Sequence, residues 1–186
     1  MLLPLFVTLF PVLFLAGLIQ KALAFRRRQV DMGGDPPISK ALFTSSKYAI
    51  VIVWGAMAAQ SWGVDLSVVD VPWPAQAVSL GLWIAGFALL FSGGSVLGDS
   101  FRIGSPRERT GLKQTGLYRF SRNPMYVGVY GTLCAAVVRT FNPVLLLIAV
   151  YVIAVHHRIV LAEEEQLQRT LGEEYRIYCT RVRRYV

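Results

Sequence analysis

The chain has 186 residues, of which 54% are hydrophobic and only 16% are charged, and its mean hydropathy is +0.49. Soluble domains carry roughly 25% charged residues, so this composition excludes an ordinary soluble globular protein and predicts a membrane protein. The net charge of +8 comes from basic residues beside apolar segments, without a continuous basic surface, which argues against nucleic-acid binding.

The first apolar segment, residues 1–20, carries no charge and is long enough to cross a bilayer. Lys21 and the arginines at 26–28 come after it, whereas a secretory signal has its basic residues before the apolar run. We therefore expect this segment to remain in the protein as helix 1, and the resemblance of 22–24 to a cleavage site to be accidental.

Two further helices are predicted before the middle of the chain. Residues 29–47 read as a polar loop, because they contain Gly33-Gly34 and Pro36-Pro37. Helix 2 is predicted over Tyr48–Val64 and helix 3 over Val71–Gly98, joined by a short loop that contains Asp65 and Asp70.

Helices 4 and 5 are predicted over Pro124–Val138 and Pro143–His156. Each follows an Asn-Pro pair, in which the asparagine can cap the helix and proline suits the first helical position. Both segments are short for full crossings, so they either tilt, gain length from flanking residues or form a re-entrant hairpin.

The C-terminal tail predicts one more helix. Apolar and aromatic residues recur there at spacings of three and four, with Gly172 as a weak point: Leu167, Leu171, Tyr175, Tyr178 and Val182. The predicted fold class is therefore an all-α integral membrane protein with about five transmembrane helices and a C-terminal amphipathic cytoplasmic helix.

The charge distribution predicts the orientation. If the connections after helices 1, 3 and 5 share one side, 18 of the 19 Lys and Arg residues lie there and Arg139 is alone on the other. The positive-inside rule makes the majority side the cytoplasm, so we expect a cytoplasmic-membrane protein with its N-terminus outside and its C-terminus and any site inside. Cys134 and Cys179 then do not form a structural disulfide.

Three adjacent glutamates, Glu163–Glu165, follow helix 5, and no more than two of them can readily serve one site because they point in different directions around a helix. They form either a solvated acidic run or a site for a cationic or hydroxyl-rich ligand. The neighbouring His156 and His157 lie about 100° apart on a helix, so they do not form a zinc-binding face and no metal site is expected. One of the two histidines should line a cavity.

Two motifs carry a family resemblance. The stretch "TGLYRFSRNPMYVG" at 115–128, followed by "EEEQLQRTLGEEYRIY" at 163–178, resembles the isoprenylcysteine carboxyl methyltransferase family and its phospholipid N-methyltransferase relatives. The resemblance extends from about Phe101 to Tyr178. Many eukaryotic members have His where this chain has Asn123, so a role that needs an imidazole proton does not carry over to this position.

This resemblance implies a methyltransferase without a Rossmann domain, which takes S-adenosylmethionine (SAM) from the cytosol and a lipid or isoprenoid acceptor from the bilayer. The chain would be a single membrane domain over 1–186, with helices 1–3 in 1–98 and the SAM-binding catalytic half in 99–186. Arg122 and Glu164 are the candidate catalytic residues. The candidate cofactor-binding residues are Gln114, Gly116, Leu117, Tyr118, Asn123, Tyr126, His157, Glu163 and Glu164.

Several alternatives stay open at this point. Arg122 either anchors the membrane boundary, orients an acceptor carboxylate or phosphate, or pairs with Glu163 or Glu164. The acceptor is either an isoprenylcysteine-like carboxylate, which needs no base, or an aminophospholipid, which must lose a proton. An NADPH-dependent membrane reductase of related fold and a non-catalytic membrane binding protein are the alternative functions, and the oligomeric state is open.

Overall fold

The structure, a computed structural model, describes residues 2–29, 32–102 and 111–186, and its regular elements are helices. The α-helices are α1 (Leu2–Arg27), α2 (Lys40–Ser61), α3 (Trp73–Leu97), α4 (Pro124–Thr140), α5 (Pro143–Leu171) and α6 (Glu173–Arg181), with 3-10 turns at Gly98–Ser100 and Gly116–Arg119. No β-strand occurs in the described ranges, so the predicted all-α class is confirmed.

Four helices are long and apolar enough to cross a membrane: α1, α2, α3 with the turn that follows it, and α5. The remaining predicted crossing, α4, has 17 residues and is therefore about 25 Å long, close to the lower limit for a crossing. This is consistent with the predicted arrangement of about five membrane helices.

Three predicted boundaries are wrong. Helix α1 continues to Arg27, beyond the predicted segment 1–20, and so includes the first basic residues. Helix α2 begins at Lys40 instead of Tyr48, because Ser39 caps it by accepting a hydrogen bond from the Leu42 amide, and the polar residues before Tyr48 are helical. Helix α5 continues to Leu171 instead of ending at His156, so it contains the three glutamates. The predicted tail helix is divided by Gly172, whose φ of +56° ends α5 before α6 starts.

The core lies where α1, α2 and α3 meet α4 and α5. Phe87 of α3 is fully buried and contacts the rings of Trp54 and Trp83 at centroid distances of 5.0 and 4.9 Å. The indole of Trp54 also donates a hydrogen bond of 2.9 Å to the Thr132 hydroxyl, which joins α2 to α4. The aromatic rings thus join α2 to α3, and the hydrogen bond from Trp54 holds α4 against them.

Helices α3 and α4 approach each other closely at small residues. A Cβ atom placed on Gly128 would lie 2.7 Å from the Gly86 carbonyl oxygen, and one on Gly86 would lie 2.7 Å from the Gly128 carbonyl oxygen. A Cβ atom on Gly131 would lie 3.6 Å from the Gly86 Cα, which is an ordinary contact distance. These glycines therefore permit backbone contact between the helices, and this contact holds the start of α4 in place.

Candidate active site around Glu163 and Glu164

Helix α5 carries both glutamates past the apolar part of the bundle. Its 29 residues make it about 43 Å long, whereas the hydrocarbon core of a bilayer is about 30 Å thick. Arg158 is exposed and is the first charged residue of α5, and four apolar residues, 159–162, separate it from the glutamates. Glu163 and Glu164 lie beyond it, beside the start of α4.

The Glu164 carboxylate is saturated by protein donors. Arg122 bonds Oε1 through Nε and Nη2, both at 3.0 Å, and the Asn123 amide donates to the same oxygen at 3.2 Å. Arg184 bonds Oε2 through Nε at 3.0 Å and Nη2 at 2.9 Å. The side chains of Arg122 and Glu164 are only 11% and 12% exposed, so this ion pair is largely shielded from water.

Arg122 is also fully occupied. Its third guanidinium nitrogen, Nη1, donates to the carbonyl oxygens of Val182 at 2.7 Å and Cys179 at 3.5 Å. Of the open alternatives for Arg122, the structure therefore shows the pairing with Glu164. A two-pronged contact to an acceptor anion would require Arg122 to give up these bonds.

The C-terminal segment, residues 182–186, lies against the residues that precede α4. The Arg122 amide donates to the Arg183 carbonyl at 2.9 Å, and the Asn123 side chain donates to the Arg184 carbonyl at 3.2 Å. Asn123 occupies the predicted N-cap position of α4, but its side chain does not cap the helix. Its amide nitrogen donates instead to Glu164 and to the Arg184 carbonyl. Asn142 does cap α5, as predicted, by accepting from the amides of Val144 and Leu145.

Glu163 has a different environment from Glu164. The Tyr126 hydroxyl donates to the Glu163 carboxylate, at 3.1 Å from each oxygen, and no arginine bonds this group among the described residues. Lys47 of α2 lies near enough to interact electrostatically with Glu163, and its ammonium group stands 4.1 Å from the centre of the Phe43 ring. Glu163 is therefore the carboxylate that has capacity left for a ligand.

The two histidines have separate environments. His156 is 4% exposed, its ring meets Tyr126 edge-on at 5.5 Å, and neither ring nitrogen has a hydrogen-bond partner in the described part of the chain. His157 is half-buried, and its Nδ1 forms a 2.8 Å hydrogen bond with the Tyr185 hydroxyl. His156 is thus the histidine with unused capacity, whereas His157 holds the C-terminal segment.

The turn before α4 positions the remaining candidates. Gly116 has φ of +59° and packs against Val96, where a Cβ atom would lie 2.8 Å from a methyl group. Tyr118 is buried, and its carbonyl accepts a 2.5 Å hydrogen bond from the Tyr178 hydroxyl. Burial raises the pKa of Tyr178 to about 12 and raises that of Tyr118 further still, with Tyr178 and Glu163 contributing to the shift of Tyr118.

Gln114 is exposed and Leu117 is half-buried, and no hydrogen bond joins either residue to the two glutamates within the described ranges. The structure therefore brings together the predicted residues of α4 and α5 more closely than those of the preceding turn. Among the described residues, no group of three His, Cys, Asp or Glu side chains is placed to hold a metal ion.

Four residues at this site were not predicted: Lys47, His156, Arg184 and Tyr185. Lys47 was assigned to a loop, although it directly precedes the uncharged part of helix 2. The adjacent histidines did signal that one of them faces inward, but the sequence does not indicate which one. Nothing in the local pattern predicts that Arg184 and Tyr185 return to α5.

The comparison with protein families identifies one match. The family model described as phospholipid methyltransferase matches residues 74–174, which is more than half of the chain. The matched range runs from the first turn of α3 to the first turn of α6, so it contains Arg122, Tyr126 and both glutamates. No curated protein and no solved structure matches the chain significantly.

Proposed function

The chain belongs to the phospholipid methyltransferase family, and from this we propose that it transfers a methyl group from SAM to the amine of a phospholipid in the membrane. The observation that carries the proposal is the position of Glu163, Tyr126 and His156 on facing surfaces of α4 and α5, inside the matched range. The acceptor class and the use of SAM are the two parts of this proposal that require experiments.

The residues present fit the cofactor. SAM has a cationic sulfonium, an amino acid part, a ribose and an adenine, so its site needs a carboxylate, aromatic surface and polar partners. Glu163 offers a carboxylate bonded by one tyrosine, and Tyr126 and Tyr118 offer ring faces or edges. Buried polar atoms rarely lack a partner, so the two unpaired nitrogens of His156 also indicate that a ligand or water belongs beside them.

We assign Glu163 to cofactor binding and His156 to the acceptor. The two residues are seven positions apart on α5, so they share a face and lie about 10 Å apart along the helix axis. Glu163 lies at the end beyond Arg158, where a water-soluble ligand can enter. His156 lies two turns closer to the apolar part, where the headgroup of a lipid can reach it.

We propose that Glu164 and Arg122 act as positioning residues. Their charged groups are fully engaged with each other, with Arg184 and with backbone carbonyls, so they hold the C-terminal segment and orient the start of α4. This differs from the catalytic contact expected from the resemblance. The adjacent Glu163 is then held at a fixed place on the neighbouring face of α5.

The occupied Arg122 also bears on the acceptor. An acceptor carboxylate would need a cationic partner, and Arg122 has no unbonded guanidinium nitrogen for it. An amine acceptor needs no cationic partner, and its nitrogen can donate a hydrogen bond to the unpartnered imidazole of His156. The geometry therefore favours an aminophospholipid over an isoprenylcysteine-like carboxylate.

In the reaction, the residues of the chain position the amine and exclude water. SAM supplies a methyl group already activated on sulfur, so methyl transfer needs mainly alignment and a dry site. The acceptor nitrogen attacks only after its ammonium group has lost a proton, and the neutral imidazole of His156 then orients the free amine by accepting a hydrogen bond from it. The new N–C bond would form as the bond between the methyl group and sulfur breaks. Tyr126 contacts both assigned residues, Glu163 through its hydroxyl and His156 through its ring, so it would shield the space between them from water.

The test uses calorimetric titration of the purified protein with SAM and, separately, with NADPH. We expect saturable SAM binding that is lost in Glu163→Gln and retained in Glu165→Gln, a matched control on the solvent-exposed face of the same helix. Binding of NADPH instead of SAM would overturn the methyltransferase proposal in favour of a reductase. Absence of both from folded protein would favour a non-catalytic binding protein.

The acceptor is tested with labelled SAM and vesicles that contain either phosphatidylethanolamine or a farnesylcysteine analogue. We expect label in phosphatidylethanolamine, and we expect His156→Leu to lower kcat at least about tenfold, because the amine loses the group that orients it, while SAM binding stays within a factor of about two. Methylation of the farnesylcysteine carboxylate alone would refute the assigned acceptor while leaving the use of SAM intact.

A further inference from the structure

A cavity lies at the opposite end of α4 from Glu164. It has a volume of about 490 Å³, and its polar wall contains Gln60, Asp65, Ser67, Asp70, Gln76 and Arg139. Arg139 is in the last turn of α4, about 22 Å along the helix from its start. This cavity is therefore separate from the candidate active site.

Side-chain hydrogen bonds fix the loop that forms this cavity, which joins α2 to α3. Gln60 accepts from the Leu66 amide at 2.7 Å, and Asn142 donates to the Leu66 carbonyl at 2.8 Å. Gln76 donates to the Val71 carbonyl at 2.8 Å. The loop has no regular secondary structure, but hydrogen bonds from α2, from α3 and from the N-cap of α5 hold its shape. The cavity is therefore preformed.

The charges around the cavity have opposite signs. Asp65 accepts a 3.0 Å hydrogen bond from the Ser67 amide, and this bond lowers the pKa of the carboxyl group, so it is ionised at neutral pH. Asp70 adds a second carboxylate to the same lining. Arg139 bonds the Gln76 side chain through Nη1, while its Nε and Nη2 make no hydrogen bond within the described ranges. One cationic and two anionic groups therefore face one cavity.

A smaller apolar cavity adjoins the polar one. It has a volume of about 160 Å³, shares Gln76 and Arg139 with its neighbour, and is lined by Leu3, Val7, Met57 and Leu80 of α1, α2 and α3. Trp62 and Trp73 flank the loop and are 54% and 77% exposed, as is typical of aromatic residues at a membrane interface. A ligand at this level meets both headgroups and acyl chains.

We propose that these two adjoining cavities bind one zwitterionic phospholipid as a site separate from methyl transfer. The free nitrogens of Arg139 bind its phosphate, Asp65 and Asp70 attract its ammonium group, and an acyl chain enters the apolar cavity. The combination of both charge signs with an adjacent apolar slot distinguishes this ligand from a simple anion. Phospholipids of the leaflet at this end supply it.

The test is native mass spectrometry of the detergent-purified full chain, titrated with phosphatidylethanolamine or phosphatidylglycerol. Phosphatidylglycerol has the phosphate but lacks the ammonium group. We expect one phosphatidylethanolamine molecule to bind before any others, at least about fivefold more tightly than phosphatidylglycerol. Glycerophosphoethanolamine, which has the headgroup without acyl chains, should not compete.

Variants separate the contributions. Arg139→Gln should weaken binding of the first lipid about tenfold, as expected for loss of a charge-assisted contact. Arg119→Gln, an exposed arginine at the other end of the bundle, is the control and should change it less than twofold. Asp65→Asn combined with Asp70→Asn should remove the preference for phosphatidylethanolamine, and Ala77→Trp should block the apolar cavity without changing a charge.

The proposal would be overturned if Arg139→Gln bound the first phosphatidylethanolamine molecule as tightly as the natural chain does. It would also be overturned if the natural chain bound the two lipids equally. Effective competition by glycerophosphoethanolamine would show a soluble headgroup site instead of a lipid site. If Arg139→Gln does not fold, the aspartate pair and Ala77→Trp decide the question by the same measurement. SAM binding should remain unchanged in all of them, so failure here is independent of the methyltransferase proposal.

Discussion

Replacing Glu164 by glutamine tests whether the buried ion pair organises the site. The substitution keeps the size of the side chain but removes the charge that compensates two arginines. Arg122 is 11% exposed and cannot turn to water without leaving the Val182 carbonyl, whereas Arg184 is 37% exposed and can. The cost should therefore arise mainly from Arg122.

The expected magnitude follows from these exposures. Removing one partner of a buried ion pair costs about 3–5 kcal/mol, because the other charge stays uncompensated. Glutamine still offers one oxygen to Arg122, so we expect Glu164→Gln to lower the free energy of unfolding by about 3 kcal/mol. Glu165→Gln is the matched control, because Glu165 and Arg169 are 64% and 76% exposed, and it should cost less than about 0.5 kcal/mol.

The assay is equilibrium unfolding in mixed detergent micelles, followed by circular dichroism. The double variant Arg122→Gln/Glu164→Gln completes a cycle with the two single variants, and we expect a coupling energy of at least about 1.5 kcal/mol. The organising role of the Arg122–Glu164 pair would be refuted if Glu164→Gln and Glu165→Gln were equally stable and the coupling energy were near zero.

Two further predictions concern the packing that supports the site. Gly128→Val should lower the free energy of unfolding by about 2–3 kcal/mol in the same assay, because the valine side chain would overlap the Gly86 backbone. Gly81→Ala is the control and should have little effect, because nothing lies within 4 Å of its Cβ position. Tyr178 has its pKa raised to about 12, so its hydrogen bond to Tyr118 should stabilise the fold fully below pH 10 and be lost as pH rises through about 12. Tyr178→Phe should lower stability at pH 8 by about 1 kcal/mol and reduce the loss between pH 10 and 12, and an unchanged alkaline profile would contradict the assignment.

Most helices could be predicted because their signals are local. An uncharged apolar run of about 17 residues or more has few alternatives to a membrane helix. The Asn142-Pro143 pair marks the start of α5 by the chemistry of adjacent residues. The errors occur where a local signal competes with a distant partner. Asn123 has the same local pattern as Asn142, but Glu164 and the Arg184 carbonyl take its amide group, and neither is near it in sequence.

The end of α5 shows the same limit. The prediction ended this helix where charged residues begin, as if the membrane boundary were also a helix boundary. Glutamate, arginine and glutamine are good helix formers, so nothing in 157–171 stops the helix until Gly172. Hydropathy therefore indicates where a helix leaves the bilayer, and only residues such as Gly172 indicate where it ends.

The three consecutive glutamates show how helical geometry and distant contacts together build this site. Successive residues of a helix point about 100° apart, which separates the three carboxylates onto different faces of α5. Glu163 faces Tyr126 of α4, Glu164 faces Arg122 and Arg184, and Glu165 pairs with Arg169 in solvent. The sequence predicts that no more than two of them can readily share a site, but the partners decide which one is held and which one has room for a ligand. Because Glu164 is saturated and Glu165 is solvated, we propose Glu163 as the carboxylate that holds the cofactor. The contacts of Glu164 then fix the rotation of α5 from which Glu163 reaches Tyr126.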